Sequence, residues 1–218
     1  MKTRVEYDHQ LEDLKHEIIR MGSLVEQLLA GSMKALVERD FDRAQRIMDS
    51  DDEIDDLQLE IEEQCVTLIA TQQPLAGDLR VIFASIKMGT DLERIADYGV
   101  GIAKMALRLK DEEYIKPLID LPRMTDIACE MLVSSVRAFA TGDSELAIET
   151  AKRDNQLDSL FKQIYRELLT FVMENSKHIN QMMSFVLIAR YLERVGDHIT
   201  NICESIVYNA TGKRLDLD

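Results

Sequence analysis

Leu92-Glu93-Arg94-Ile95-Ala96-Asp97 returns one hundred residues later as Leu192-Glu193-Arg194-Val195-Gly196-Asp197. In each copy a Glu and an Asp stand four residues apart within a helical pattern of apolar residues, so the two carboxylates project from one face. Two copies of one helical unit follow from this repeat, and the rest of the chain is read outward from it.

Upstream of the first copy, apolar or small residues recur at 7, 11, 14, 18, 21, 25, 28, 32 and 35. These alternating steps of three and four predict a long amphipathic helix ending near Arg39. Asp40 caps a second helix predicted to run unbroken through Ile47, Ile54, Leu57, Ile61, Cys65 and Leu68 to about Thr71, where Gln72-Gln73-Pro74 stops it. A third starts near Ala76 and carries the motif, with Leu79, Ile82, Ile86, Val100 and Ala103 on one stripe and Met88, Leu92, Ile95 and Ile102 on another. Two stripes mean more than one packing partner.

Residues 111–122, with Pro117 and Pro122, read as a linker between a first three-helix repeat, 1–110, and a second, 123–218. The second repeat is expected as a helix from Arg123 to Thr141, a turn at Gly142-Asp143, a helix to about Asn175 and a last helix from Ile179 to Asn209. Asp51-Asp52-Glu53-Ile54-Asp55 answers to Asp154-Asn155-Gln156-Leu157-Asp158. The expected fold is all-α: six long antiparallel helices in two three-helix bundles related by a pseudo-twofold axis.

Composition agrees, with three prolines, nine glycines and no Trp in 218 residues. A formal charge of −14 excludes a non-specific nucleic-acid surface and favours bound cations or basic partners. Cys65, Cys129 and Cys203 are odd in number and lie in apolar helical sequence, as buried reduced thiols do. Charges in the first six residues replace the apolar run of a signal peptide, and the longest apolar stretch, 182–189, is too short to span a bilayer. A soluble cytoplasmic protein is expected, reaching membranes only through partners.

Each half thus offers two carboxylate pairs on consecutive helices, Asp51/Asp55 with Glu93/Asp97, and Asp154/Asp158 with Glu193/Asp197. Solvated surface acids are the plain alternative. Against it, Glu93 lies about 20° around the helix from Ile86 and Val100, continuing an apolar stripe. Glu193 stands in the same relation to Val186, and Asp154 and Asp158 fall in the series Ala151, Phe161, Leu168 and Val172. Carboxylates gathered at a packed seam repel one another unless a cation sits among them. All-oxygen donors suit hard ions such as Mg²⁺, Mn²⁺ or iron, and also admit zinc. Asn201, four residues beyond Asp197, can add an amide oxygen, whereas Gly101 cannot. Arg94 and Arg194 are placed to balance the acids, and His198 reads as a packing or partner-facing residue. A di-iron oxidase would need a Glu-x-x-His from each of two helices; only Glu6 to His9 fits, and no phosphate loop or nucleophile motif is present.

The run Gln72 to Arg80, followed by Asp91 to Asp97, Tyr191 to Ile202, Tyr208 and Gly212, resembles the PhoU family of phosphate-uptake regulators. The resemblance covers essentially the whole chain. It implies two three-helix bundles whose acidic motifs hold multinuclear iron or zinc clusters, here at Asp51, Asp55, Glu93, Asp97, Asp154, Asp158, Glu193, Asp197 and Asn201. It also implies a non-enzymatic negative regulator of phosphate uptake, linking the ATPase of the phosphate ABC transporter to a sensor histidine kinase, and a homodimer. Gly101 stands where the family motif often has Asn, which singles out the first cluster as the weaker. The alternative function is a metal-dependent hydrolase or oxidase acting at the carboxylates.

Overall fold

The computed structural model describes residues 2–50 and 52–217, with side chains from residue 6 onward. Among the described residues the chain forms eight α-helices, one short 3₁₀ turn and no strand. In the first half α1 spans Lys2–Glu38, α2 Phe41–Asp49, α3 Asp52–Gln72 and α4 Ala76–Arg108. In the second, α5 spans Asp120–Thr141, α6 Ser144–Ala151, α7 Asp154–Glu174 and α8 Ile179–Thr211, with the 3₁₀ turn at Ser176–His178 before α8.

The local signals explain the boundaries. Asp40 accepts a hydrogen bond from the Arg43 amide at 2.9 Å, and Asp143 accepts from the Glu145 and Leu146 amides at 3.1 and 3.0 Å. Gly142 and Gly212 end α5 and α8 with φ of 69° and 71°, a left-handed conformation that suits glycine. Pro122 sits inside the first turn of α5, where its missing N–H removes no helical bond, so the helix starts ahead of the linker boundary read from the sequence.

Two expected helices are each divided. The helix expected from Asp40 to Thr71 ends at Ser50, whose hydroxyl and amide both turn back to the Ile47 carbonyl, and restarts as α3. Its counterpart tightens at Lys152-Arg153, where the amides reach the Ile148 and Thr150 carbonyls, before α7 begins. The six-helix plan stands with its second and fifth helices bent.

Helices α1 to α4 form one bundle and α5 to α8 the other, and the two meet where α4 packs on α8 and α1 on α5. The buried apolar residues form one continuous core through both bundles, including Ile18, Leu29, Ile61, Leu92, Leu132, Phe185 and Leu192. Tyr98 and His198, equivalent in the two repeats, face each other with ring centroids 5.8 Å apart. Equivalent residues meet only at a twofold axis, so the pseudo-axis runs through the α4–α8 crossing. Leu79, expected on the buried stripe of α4, is exposed instead, because the first turns of that helix extend past the packed seam.

The connection between halves is tied down. Tyr114 donates to the Leu36 carbonyl at 2.8 Å, and the buried Gln181 accepts from the Ile115 amide while donating to the Glu113 carbonyl. Arg39, itself left-handed at φ 57°, donates to the Lys110 and Glu112 carbonyls and stacks on the Tyr114 ring. No described helix is long and apolar enough to cross a membrane.

The thiols are inert by burial. Cys65 and Cys203 have no exposed surface, and burial pushes these two and Cys129 up to about 12. At pH 8 the thiolate is then about one part in ten thousand. A thiol-reactive chromogenic disulfide should therefore leave all three cysteines of the native chain unmodified over minutes, and modify all three after denaturation.

Candidate functional site

The break before α3 and the break before α7 place acidic residues in the first turn of each new helix, where the N-terminal end of the helix dipole favours negative charge. Those turns lie alongside the middle of the following helix, α4 or α8. Asp55 is thereby brought near Asp97, and Asp158 near Glu193. Asp51 lies outside the described residues.

In each copy one acid is raised, on the shorter helix in the first (Asp55 of α3) and on the longer helix in the second (Glu193 of α8). The Asp55 carboxyl is held above its ordinary range, first by burial, then by Asp97, Asp52 and Asp56, against a lowering pull from Arg94. Glu193 is raised in the same sense, first by burial and then by Asp197, with Arg190 opposing and Asp158 adding to the rise. Glu93 and Glu193 are half-sunk in the seam, with side chains 20% and 11% exposed, as their position on an apolar stripe requires.

Basic side chains on the same helices answer the acids. Arg94 pairs with Asp97 at 3.1 Å and with Glu93 at 3.5 Å, and Arg194 pairs with Asp197 at 3.2 Å. Asp97 and Asp197 hold their arginines in equivalent contacts. Lys162 pairs with Asp158 at 2.9 Å, and Arg190 with one oxygen of Glu193. The other oxygen, Glu193 Oε2, is buried with no hydrogen-bond partner, an expensive position for a carboxylate. Among the described residues no three His, Cys, Asp or Glu side chains converge closely enough to hold a metal ion as they stand. Gathering them requires the surface-facing aspartates to turn from their basic partners.

The copies differ in packing. A Cβ at Gly196 would lie 2.0 Å from Asp154 Oδ1 and 2.7 Å from Leu157 Cδ1, so glycine there is what lets Asp154 seat against α8. The first copy has Ala96 at that position, buried in the core. Asn201 is exposed one turn beyond Asp197. A Cβ at Gly101 would lie 2.8 Å from the Tyr191 ring, so the missing Asn of the first copy has a packing cause: the Tyr191 ring occupies the space a side chain would need.

His198 is a packing residue, as its position suggested, and its Nδ1 lies 2.9 Å from Oδ1 of the buried Asp91 on α4. Asp91 was not singled out in the sequence, although the hundred-residue register aligns it with Tyr191 and so with the axis. Arg190 and Lys162, which neutralise two of the second-copy acids, carried no motif signal either.

The PhoU domain model matches residues 18–106 and again 121–206, once per bundle. The chain belongs to the PhoU family. It is 42% identical over 217 residues, covering 99% of each sequence, to a protein of Clostridium acetobutylicum described as a phosphate-specific transport system accessory protein PhoU homolog. An Aquifex aeolicus protein of the same description is 36% identical, covering 94% of this chain and 92% of the relative. The crystal structure of the phosphate transport system regulatory protein PhoU from Streptococcus pneumoniae superposes with a TM-score of 0.90 at 31% identity, covering 96% of this chain and 99% of that one. PhoU from Pseudomonas aeruginosa superposes at 0.91 with 33% identity, over 95% and 100% of the two chains.

Within this PhoU chain the asymmetry at position 196 is directly testable. Gly196→Ala should lower stability by about 1–3 kcal/mol in urea denaturation, because Asp154 and Leu157 must both move.

Proposed function

We propose that this chain is a non-enzymatic regulator of phosphate homeostasis that represses phosphate uptake and the phosphate regulon when phosphate is plentiful. The observation that carries the reading is the family match to both bundles, together with near full-length similarity to proteins described as accessory to the phosphate-specific transport system. The chain would act in the cytoplasm by contact, as an adaptor between the ATPase of the phosphate ABC transporter and a sensor histidine kinase, and as a homodimer. The absence of any nucleophile, phosphate-loop or paired general-base motif from the sequence argues for contact rather than turnover. The test is deletion of the gene. Phosphate uptake and alkaline phosphatase should become high at both low and high phosphate; a deletion strain that still responds to phosphate as the parent does would refute the reading.

The carboxylate pairs are the proposed cation sites. The donor set fits: all-oxygen ligands, one in each copy raised by burial and then by neighbouring carboxylates, and in the second copy a buried oxygen of Glu193 with no hydrogen-bond partner. Asp51, Asp55, Glu93 and Asp97 would hold one cluster, and Asp154, Asp158, Glu193, Asp197 and Asn201 the other. Iron or zinc would be the resident metal, with manganese or magnesium as further candidates. A bound cation would cancel the repulsion and cross-link α3 to α4 and α7 to α8, stiffening each bundle. Elemental analysis of protein purified without chelator should find metal in the wild type and a reduced content in both Asp97→Ala and Asp197→Ala. Metal absent from the wild type under every loading condition would sink the proposal.

A further inference from the structure

We propose that the outer face of α3, with the groove it forms against α1, docks a basic amphipathic helix of a partner protein. The proposal rests on the adaptor reading only in requiring that a partner exist; the surface follows from its own residues.

The two bundles differ most in the charge of one pair of equivalent helices. Residues 52–72 of α3 contain seven Asp or Glu and no Lys or Arg, whereas residues 154–174 of α7 contain four acids and two bases. Some surface acids elsewhere have basic partners, as in Glu12 with Lys15, Glu17 with Arg20 and Glu130 with Arg153, and on α3 Glu53 lies 3.8 Å from Arg20. Among the described side chains, no Lys or Arg nitrogen comes within 4.0 Å of a carboxylate oxygen of Asp13, Asp56, Glu60 or Glu63. Between α1 and α3 lies a groove of about 360 Å³ that includes Asp13, Glu60 and Glu63 in its lining. It adjoins an open depression of about 600 Å³ on the outer side of α3, floored by Leu59 and Val66.

Leu59 and Val66 are 59% and 62% exposed. Seven residues apart, they lie on one ridge of the helix, two turns from each other, with Asp56, Glu60 and Glu63 beside them. A single exposed leucine is ordinary, but two anchors at this spacing inside an acidic rim have the pattern of a helix-binding surface. The occupant must bring apolar side chains two turns apart to cover Leu59 and Val66, and Lys or Arg flanking them to answer the acids. A metal ion would leave the apolar ridge uncovered, and nucleic acid or an anionic lipid surface would be repelled. The equivalent face of α7 carries Lys162 and Arg166, so docking is confined to one bundle and gives one partner helix per chain.

The probe is a synthetic helical peptide of about 18 residues with Leu on one face and Lys on the other, titrated against the full chain by fluorescence anisotropy at low and moderate salt. The wild type should bind, with affinity falling as salt rises. Glu60→Lys/Glu63→Lys should bind about tenfold or more weakly, and Leu59→Ser/Val66→Ser should also weaken binding while leaving net charge unchanged. Glu145→Lys/Glu149→Lys, the same charge change on exposed positions of α6, should bind as the wild type does. Equal weakening by the two charge-reversal pairs would mean attraction to net charge alone and would overturn the proposal. So would wild-type affinity in the α3 variants, or no binding to the wild type. In cells, full phosphate repression by Glu60→Lys/Glu63→Lys in a strain whose deletion abolishes repression would remove the docking site and leave the adaptor reading standing.

Discussion

The packing of α4 against α8 is the constraint on which the rest depends. These are the two 33-residue helices, each buried along most of its length, and each serves as the centre of its own bundle as well as half of the interface between bundles. Close approach at the crossing is secured by Gly101 under the Tyr191 ring, and a part-buried polar contact across it, His198 with Asp91, helps fix the rotation of one helix against the other, with Arg80 donating to the Asn209 carbonyl at the far end. A second close contact, Gly22 of α1 beneath Val136 of α5, completes the joint. Glu93, Asp97, Glu193 and Asp197 ride on the same two helices. Turning either one to accommodate a change at the crossing would therefore swing its acids relative to α3 or α7.

Much of this could be read from residue spacing. The steps of three and four that recur from residue 7 to residue 35 fall on buried positions of α1 except at the half-buried Leu11, and the hundred-residue repeat foretells that equivalent residues meet at the axis. The two helix breaks were not legible. Ser50, Lys152 and Arg153 are all compatible with a helix, and the apolar period continues on both sides, so only the tightening of the backbone onto preceding carbonyls marks the change of direction. Gly101 shows a different limit of spacing. It reads as a missing ligand when aligned with Asn201, and only the ring of Tyr191, ninety residues away in sequence, reveals what its absent side chain makes room for.

The two bundles have kept one plan while diverging in chemistry. In the second, Gly196 admits Asp154 against α8, and Lys162 and Arg190 answer two of the acids. In the first, Ala96 fills the equivalent place, and Leu59 of α3 and Thr90 of α4 stand where Lys162 and Arg190 do, leaving the outer acids of α3 and its apolar ridge facing outward. Charge differences on the outer faces of equivalent helices, such as Leu59 against Lys162 and Glu63 against Arg166, do not change a packed core, because these residues point away from it. It changes what each bundle can attract.

The arginines beside the acids bear on how firmly those acids are held. Arg94 and Arg194 keep roughly half of their side-chain surface exposed, and both pair with an aspartate one turn away on the same helix. Exposed pairs of this kind contribute little, since water screens the charges and both side chains must be held still. Such contacts orient Asp97 and Asp197 without committing them. Burial and like charge at Asp55 and Glu193 raise the free energy of the ionised site, and the weak surface pairs recover little of it. The arrangement therefore favours an added positive charge over the arginines already present, whether supplied by an ion between the helices or by the basic side chains of another protein.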